Sequence, residues 1–213
     1  MLCIFEKDKV IREYELVQPI SQFKKAIYKD KIFLFFSYSL KLRCLDKDFH
    51  TLDEGNVSSE VLSMAATNMF VFCLIEDNLI LKFSHKVNLL QKIKINEENL
   101  DGLAQYMNKY DQLRSFRDSI FLSKKNGMLC INSMNLKEFK KLPIKEKKYV
   151  FYNEKIVTLN ADNDQIVFYD FSGMVIQKQE LTNWFGKHLI MIQSENYDKI
   201  SFFDFSNFIL FVF

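Results

Sequence analysis

Six lysines, Lys137, Lys140, Lys141, Lys145, Lys147 and Lys148, fall within twelve residues, with Phe139, Tyr149 and Phe151 among or beside them. Ammonium groups hold phosphates electrostatically and an aromatic face stacks on a base, so the stretch is a candidate RNA or ribosome contact. The same residues also read as a sheet edge. Phe139 and Leu142 alternate with lysines as a half-buried strand requires, and edge strands carry Lys to discourage further pairing. The wide use of Phe, Ile, Lys, Asn and Tyr over Ala, Gly, Pro and Arg further discounts the lysines as a functional signal.

Trp184 and Phe185 place the only Trp beside a Phe in a connecting segment. Such a pair either fills core or forms a candidate protein contact. Asp170 and Asp204 are each followed by an aromatic residue, and each is read as an acceptor that pins a neighbouring turn. His50, His85 and His188 lie far apart with no Cys, Asp or His at ligand spacing, so surface or edge positions are expected for them. Cys3, Cys44, Cys73 and Cys130 sit singly inside apolar runs and read as buried, reduced thiols.

There is no Gly-x-Ser-x-Gly elbow, phosphate loop or Gly-x-Gly-x-x-Gly, and only five glycines exist from which to build one. No catalytic residue, cofactor or metal is therefore expected. With 29 basic and 27 acidic side chains, a net charge of +2 names no anionic partner by itself. The start of the chain lacks a basic leader and an adequate apolar segment, and the longest apolar runs are too short to span a bilayer. A cytoplasmic protein without membrane insertion is expected.

The elements that would position these residues are strands. In a chain of 213 residues that is 48% hydrophobic, short β-branched and aromatic runs are bounded by Asn, Asp, Ser or Gly. From Lys147 to Leu181 four runs follow one another, at Tyr149 to Tyr152, Ile156 to Leu159, Ile166 to Phe171 and Met174 to Gln179. Asn153-Glu154 and Ser172-Gly173 supply turns, and Gly173 suits a positive φ. The spacing predicts similar meanders over Phe23 to Glu54, over Ser59 to Ile95 and around Ile120, Leu129 and Phe139. A last unit spans His188 to Phe213, and Leu2 to Leu16 looks like the final two strands of another.

Ile166 to Gly173 and Ile200 to Asn207 are nearly the same string, and weaker copies centre on Glu6, Cys44, Lys82 and Asn132. Successive centres lie about 38, 38, 50, 38 and 34 residues apart, the mark of a repeat architecture. The long interval holds Leu100, Leu103, Ala104, Met107, Tyr110 and Leu113 at helical spacing, which predicts an inserted amphipathic helix over 96–118.

Four-stranded units at this period, with Tyr169-Asp170 and Phe203-Asp204 near the end of the third strand and a Ser172-Gly173 hairpin, resemble blades of the WD40-like β-propeller superfamily. The resemblance covers most of the chain in period and its last third in motif; no His is preceded by Gly, a pair usual in those repeats. It implies one all-β domain over 1–213, a small or incomplete β-propeller of about five to six four-stranded antiparallel blades. The ring is either trimmed or open, and an open ring accepts strands from a partner. The function expected is a non-enzymatic protein-protein interaction scaffold, a subunit of a larger intracellular complex. The alternatives are a ribosome- or RNA-associated factor that uses the basic face, and a propeller-based enzyme with polar groups converging on the axis.

Overall fold

The computed structural model describes residues 2–6, 9–14, 23–76, 79–95, 113–124, 127–137, 139–146, 148–160, 165–181, 189–193, 197–204 and 209–212. These residues form strands and turns. The strands β1 (Leu2–Glu6) and β2 (Lys9–Tyr14) pair with each other. Four complete meanders follow. Blade I holds β3 (Phe23–Tyr28), β4 (Lys31–Phe36), β5 (Lys41–Leu45) and β6 (Thr51–Asn56). Blade II holds β7 (Val61–Ala66), β8 (Phe70–Ile75), β9 (Leu79–Ser84) and β10 (Leu89–Lys94).

Blade III holds β11 (Leu113–Phe116), β12 (Ser119–Lys124), β13 (Gly127–Asn132) and β14 (Phe139–Leu142). Blade IV holds β15 (Tyr149–Tyr152), β16 (Lys155–Leu159), β17 (Gln165–Tyr169) and β18 (Val175–Glu180). A three-stranded sheet of β19 (Leu189–Gln193), β20 (Ile200–Asp204) and β21 (Ile209–Val212) ends the series. Within every sheet, strands pair antiparallel in chain order.

Strand alternation explains why no blade stands alone. Successive side chains on β8 go to opposite faces: Val71, Cys73 and Ile75 pack against blade I, with Phe33, Phe35 and Leu42, while Phe72 and Leu74 pack against blade III, with Ile120, Leu122 and Leu129. A third core lies between blades III and IV around Phe121, Met128, Phe151 and Ile156, and a fourth between blade IV and the last sheet around Val157, Ile166 and Phe202. Each fully buried Phe contributes roughly 1.5–3 kcal/mol relative to an exposed one. The first strands of neighbouring sheets, β3 with β7, β7 with β11 and β15 with β19, also touch directly. This is the radial stacking of an incomplete β-propeller.

One hairpin recurs between the third and fourth strands. Asp46, Ser84 and Asp170 each donate a main-chain bond to the fourth residue on: their N–H groups reach the carbonyls of His50, Asn88 and Met174, all at 3.0 Å. Phe49, Val87 and Gly173, each three residues after the first, have φ of 65°, 60° and 87°. A ladder irregularity follows in all three blades, so the turn is a three-residue hairpin with a left-handed residue and a bulge. Only blade IV meets the left-handed position with Gly.

Several expectations are corrected. Residues 96–112 of the expected helix lie outside the described residues, but 113–118 are a strand and a turn, not helix. Leu113 and Phe116 are three apart, a helical spacing, yet on a strand this places them on opposite faces: Leu113 packs toward blade II and Phe116 toward blade IV. Serine hydroxyls hold β11 to β7, Leu113 N–H donating to Ser63 Oγ at 2.9 Å and Ser115 Oγ to Ala66 O at 2.5 Å. Asp170 begins the turn after β17 instead of lying within the strand. The repeat centres set at Cys44 and Lys82 are two residues early, since Asp46 and Ser84 hold the place of Asp170.

Candidate interaction surface and inner cleft

The basic stretch occupies the outer edge of blade III and the connection to blade IV. Lys140 and Lys141 are consecutive on β14, opposite Cys130 and Leu129, and therefore point to opposite faces. Lys137, Lys140, Lys141, Lys145 and Lys148 are exposed, and Lys147 lies outside the described residues. Lys140 Nζ donates to Phe171 O at 3.4 Å, which ties this edge to the last hairpin of blade IV. The stacking partners do not join them. Tyr149 and Phe151 are 1% and 0% exposed in the core between blades III and IV, so neither ring is available to a base, and nothing is described of the Phe139 side chain. The Tyr149 hydroxyl donates to Phe121 O at 2.8 Å, and burial pushes its pKa well above the usual phenol value.

Apolar side chains on the outer strands are the feature that sequence reasoning missed. The fourth strand of a blade has one paired side, and on blade IV Met174, Val175 and Ile176 are 67%, 48% and 50% exposed. Leu52 on β6 and Leu89 and Leu90 on β10 are comparably exposed. The only available signal was three consecutive apolar residues, Met174-Val175-Ile176, directly after a turn, where alternation calls for a polar one.

The first strands and one loop surround an open cleft of about 380 Å³. Its walls include Lys25 of β3, Ser63 of β7, Leu113, Arg114 and Ser115 of β11, and Tyr197 from the turn before β20. Tyr197 crosses from the last sheet: its hydroxyl donates to Ser115 O at 3.4 Å and its carbonyl accepts from Asn153 N–H at 2.9 Å. Its ring stands edge-on to Phe116 with centroids 4.8 Å apart.

Asp170 does what the sequence implied, within its own turn. Its Oδ1 accepts from Ser172 N–H, Ser172 Oγ and Met174 N–H at 2.7, 2.5 and 2.9 Å. These bonds, that from the Ser172 side chain foremost, hold its carboxyl below the usual range. Asp46 likewise accepts from Asp48 and His50, and its pKa is lowered chiefly by the His50 main chain. The Asp204 side chain, Trp184, Phe185 and His188 lie outside the described residues.

His50 is exposed as expected. His85 is half-buried: its ring packs 5.1 Å from the Phe33 centroid, and its Nε2 lies 3.0 Å from Thr67 O, because the hairpin holding it leans onto blade I. Cys44 and Cys73 are buried and Cys130 half-buried, and burial pushes all three thiols up, so they are protonated and unreactive. Among the described residues, no group of three or more His, Cys, Asp or Glu is arranged to hold a metal ion. Among them, too, no helix is long and apolar enough to cross a membrane.

No family model matches the chain, and no curated protein does. Solved structures do. The chain is similar to a functionally unknown protein from Desulfotomaculum acetoxidans, at 10% identity and TM-score 0.59, over 85% of this chain and 62% of that one. A protein of unknown function from Bacteroides caccae matches at 11% identity and TM-score 0.61, over 93% and 77% of the two chains. The β-propeller domain of Cps50 (Swd1) from Myceliophteria thermophila matches at 6% identity and TM-score 0.56, over 82% and 58%. The chain thus spans less than two thirds of the first and third of these. At such identities the likeness is one of fold, and with the stacked meanders it places the chain among incomplete β-propellers.

Proposed function

We propose that this chain is a non-enzymatic protein-protein interaction scaffold, a subunit of a larger intracellular complex. The observation that carries this reading is the outer rim of blade IV, where Met174, at the end of the turn, and Val175 and Ile176, on β18, are about half exposed or more, and where β18 pairs, among the described residues, only with β17. Adjacent apolar side chains on an outermost strand mark a contact surface, and the polar groups on the strand's far side suit a partner segment laid along it. Nearby Gln177, Lys178, Gln179 and Glu180 form a polar remainder to the same strand, the composition of an interface rim.

The test is purification of the chain from its native source after brief cross-linking, with partners identified by mass spectrometry. A discrete protein partner in fixed ratio supports the scaffold, and a monomer without one contradicts it.

A second reading, an RNA- or ribosome-associated factor, draws on the exposure of Lys137, Lys140, Lys141, Lys145 and Lys148 along one edge. Without Tyr149 and Phe151 it rests on charge alone, so binding would be steeply salt-dependent and indifferent to sequence.

A further inference from the structure

β18 stands further clear of its neighbours than the outermost strands of blades I and II. β6 and β10 each keep two of six residues half-buried, whereas all six of β18 are exposed. Among the described residues β18 pairs only with β17, so its far edge offers main-chain donors and acceptors to a further strand.

Register shows what a segment on that edge would meet. Val175 lies opposite Tyr169 and Lys178 opposite Val167, and both partners belong to the core between blades III and IV. Directly opposed residues share a face of the sheet, so Val175 and Lys178 are turned toward blade III. From blade III, Lys140 lies opposite Cys130, which packs against the same core, and Lys140 Nζ reaches Phe171 O at 3.4 Å. Pro143 packs on Gly173, the residue before Met174, and Lys145 follows Pro143 by two residues. The apolar start of β18 thus adjoins the edge of blade III that carries Lys140 and Lys145.

Lys140, Lys145 and Lys178 are all exposed. The ion pairs among the described residues join Lys41 and Arg43 to Glu54, His50 to Asp46 and Arg117 to Glu154, and none includes these three lysines. The described carboxylates of this region are engaged in other bonds. Glu146 Oε1 accepts from the Tyr169 hydroxyl at 3.1 Å, Asp170 accepts from its own turn, and Glu180 accepts from Gln165 Nε2 at 2.6 Å. Unpaired ammonium groups beside an apolar strand edge are complemented by a partner that brings negative charge. A nucleic acid brings phosphates but cannot extend a β-ladder, and Tyr149 and Phe151, which would stack on its bases, are buried.

We propose that the partner at this rim is an acidic protein segment, about as long as the six residues of β18, that pairs with β18 as a fifth strand of blade IV. Its Asp or Glu side chains lie against Lys140, Lys145 and Lys178, and its apolar ones against Val175 and Ile176. This rests on the scaffold reading and adds the partner's chemistry to it.

The test is selection from a random peptide library on the immobilised full chain, followed by fluorescence anisotropy of the recovered peptides. The expected peptides alternate apolar residues with Asp or Glu, bind more weakly as salt rises, and lose binding when alternate main-chain nitrogens are methylated. Lys140→Gln/Lys145→Gln/Lys178→Gln should weaken them about tenfold, the combined worth of three exposed ion pairs. Val175→Lys/Ile176→Lys should abolish binding, and Lys92→Gln, on the outer strand of blade II, should leave it unchanged. Circular dichroism melts confirm that the variants are folded. The proposal is overturned by a library that yields no binder or only neutral or basic ones, or by a triple variant that binds like the wild type. It is equally overturned if oligouridine binds more tightly than the peptides and is lost from the triple variant, or if sedimentation shows a dimer of this chain that Val175→Lys/Ile176→Lys dissociates. A native protein partner lost from Val175→Lys/Ile176→Lys but kept by the triple variant leaves the scaffold reading standing and overturns the acidic chemistry alone.

Discussion

Val87 fills the space that a side chain on Gly55 would need: a methyl group at Gly55 would lie 2.7 Å from Val87 O and 2.8 Å from Val87 Cγ1. The last hairpin of blade II thus presses on the outer strand of blade I. The same contact recurs between blades IV and III with the sizes exchanged, since a methyl group on Gly173 would lie 2.5 Å from Pro143 Cδ. One partner is bulky and the other is glycine at each junction. Hairpin and strand can meet at either only if one of them gives up its side chain.

Gly55→Ala should therefore destabilise the protein by about 1–3 kcal/mol through overpacking, read as a lower urea midpoint with unchanged slope. A change under about 0.5 kcal/mol would show that the junction yields. In a double-mutant cycle with Val87→Gly, the two changes should couple by at least about 0.5 kcal/mol, as residues in direct contact do.

Gly173→Ala should cost more than Gly55→Ala, because it meets Pro143 and also holds a Cβ at a φ of +87°. Equal midpoints for the two variants would contradict the account of this hairpin.

His85 makes stability depend on pH. Burial against Tyr28 and Phe33, with Lys31 adding a smaller repulsion, lowers its pKa below 6.5, while its contact with Thr67 O works the other way. The unfolded chain then binds the proton more readily, so this contribution is complete above pH 6.5 and is lost as pH falls through the lower folded value. Urea midpoints measured from pH 7.5 to 5 should fall more for the wild type than for His85→Gln. Parallel curves would remove His85 as the cause.

Asp170 and Asp46 act in a lower window. Their carboxyls are held below 3.8 by bonds to their own turns, so what they contribute is present above that value and is lost in more acid solution. Asp170→Ala should lower the urea midpoint at pH 7, and Asp170→Asn, which keeps an acceptor for Met174 N–H, should lower it less. If Asn and Ala are equivalent, the side-chain bonds do not stabilise the hairpin.

How much of this could be read beforehand depended on the range of each cause. Tyr149 to Tyr152 and Ile156 to Leu159 were legible almost residue for residue, because alternation and the Asn153-Glu154 turn are local. The repeat centres at Cys44 and Lys82 fall two residues before Asp46 and Ser84, because Phe49 and Val87, not glycines, take the left-handed positions of those hairpins. Leu113 to Phe116 read as helix because a spacing of three fits one helical face and equally two opposite strand faces. The burial of Tyr149 and Phe151, which removes the expected stacking platform, depends on a neighbouring blade. The inner cleft had no local signature at all, since Lys25, Ser63, Arg114 and Tyr197 come from four different sheets or their turns.

The interaction reading is tested most directly by quantitative affinity capture from the native source, comparing the wild type with Val175→Lys/Ile176→Lys. Both positions are half exposed on an outermost strand, so the variant should melt within about 2 °C of the wild type. The account predicts a partner held in fixed ratio by the wild type and lost from the variant. Identical recovery from the two proteins, or no stoichiometric partner for either, would contradict it.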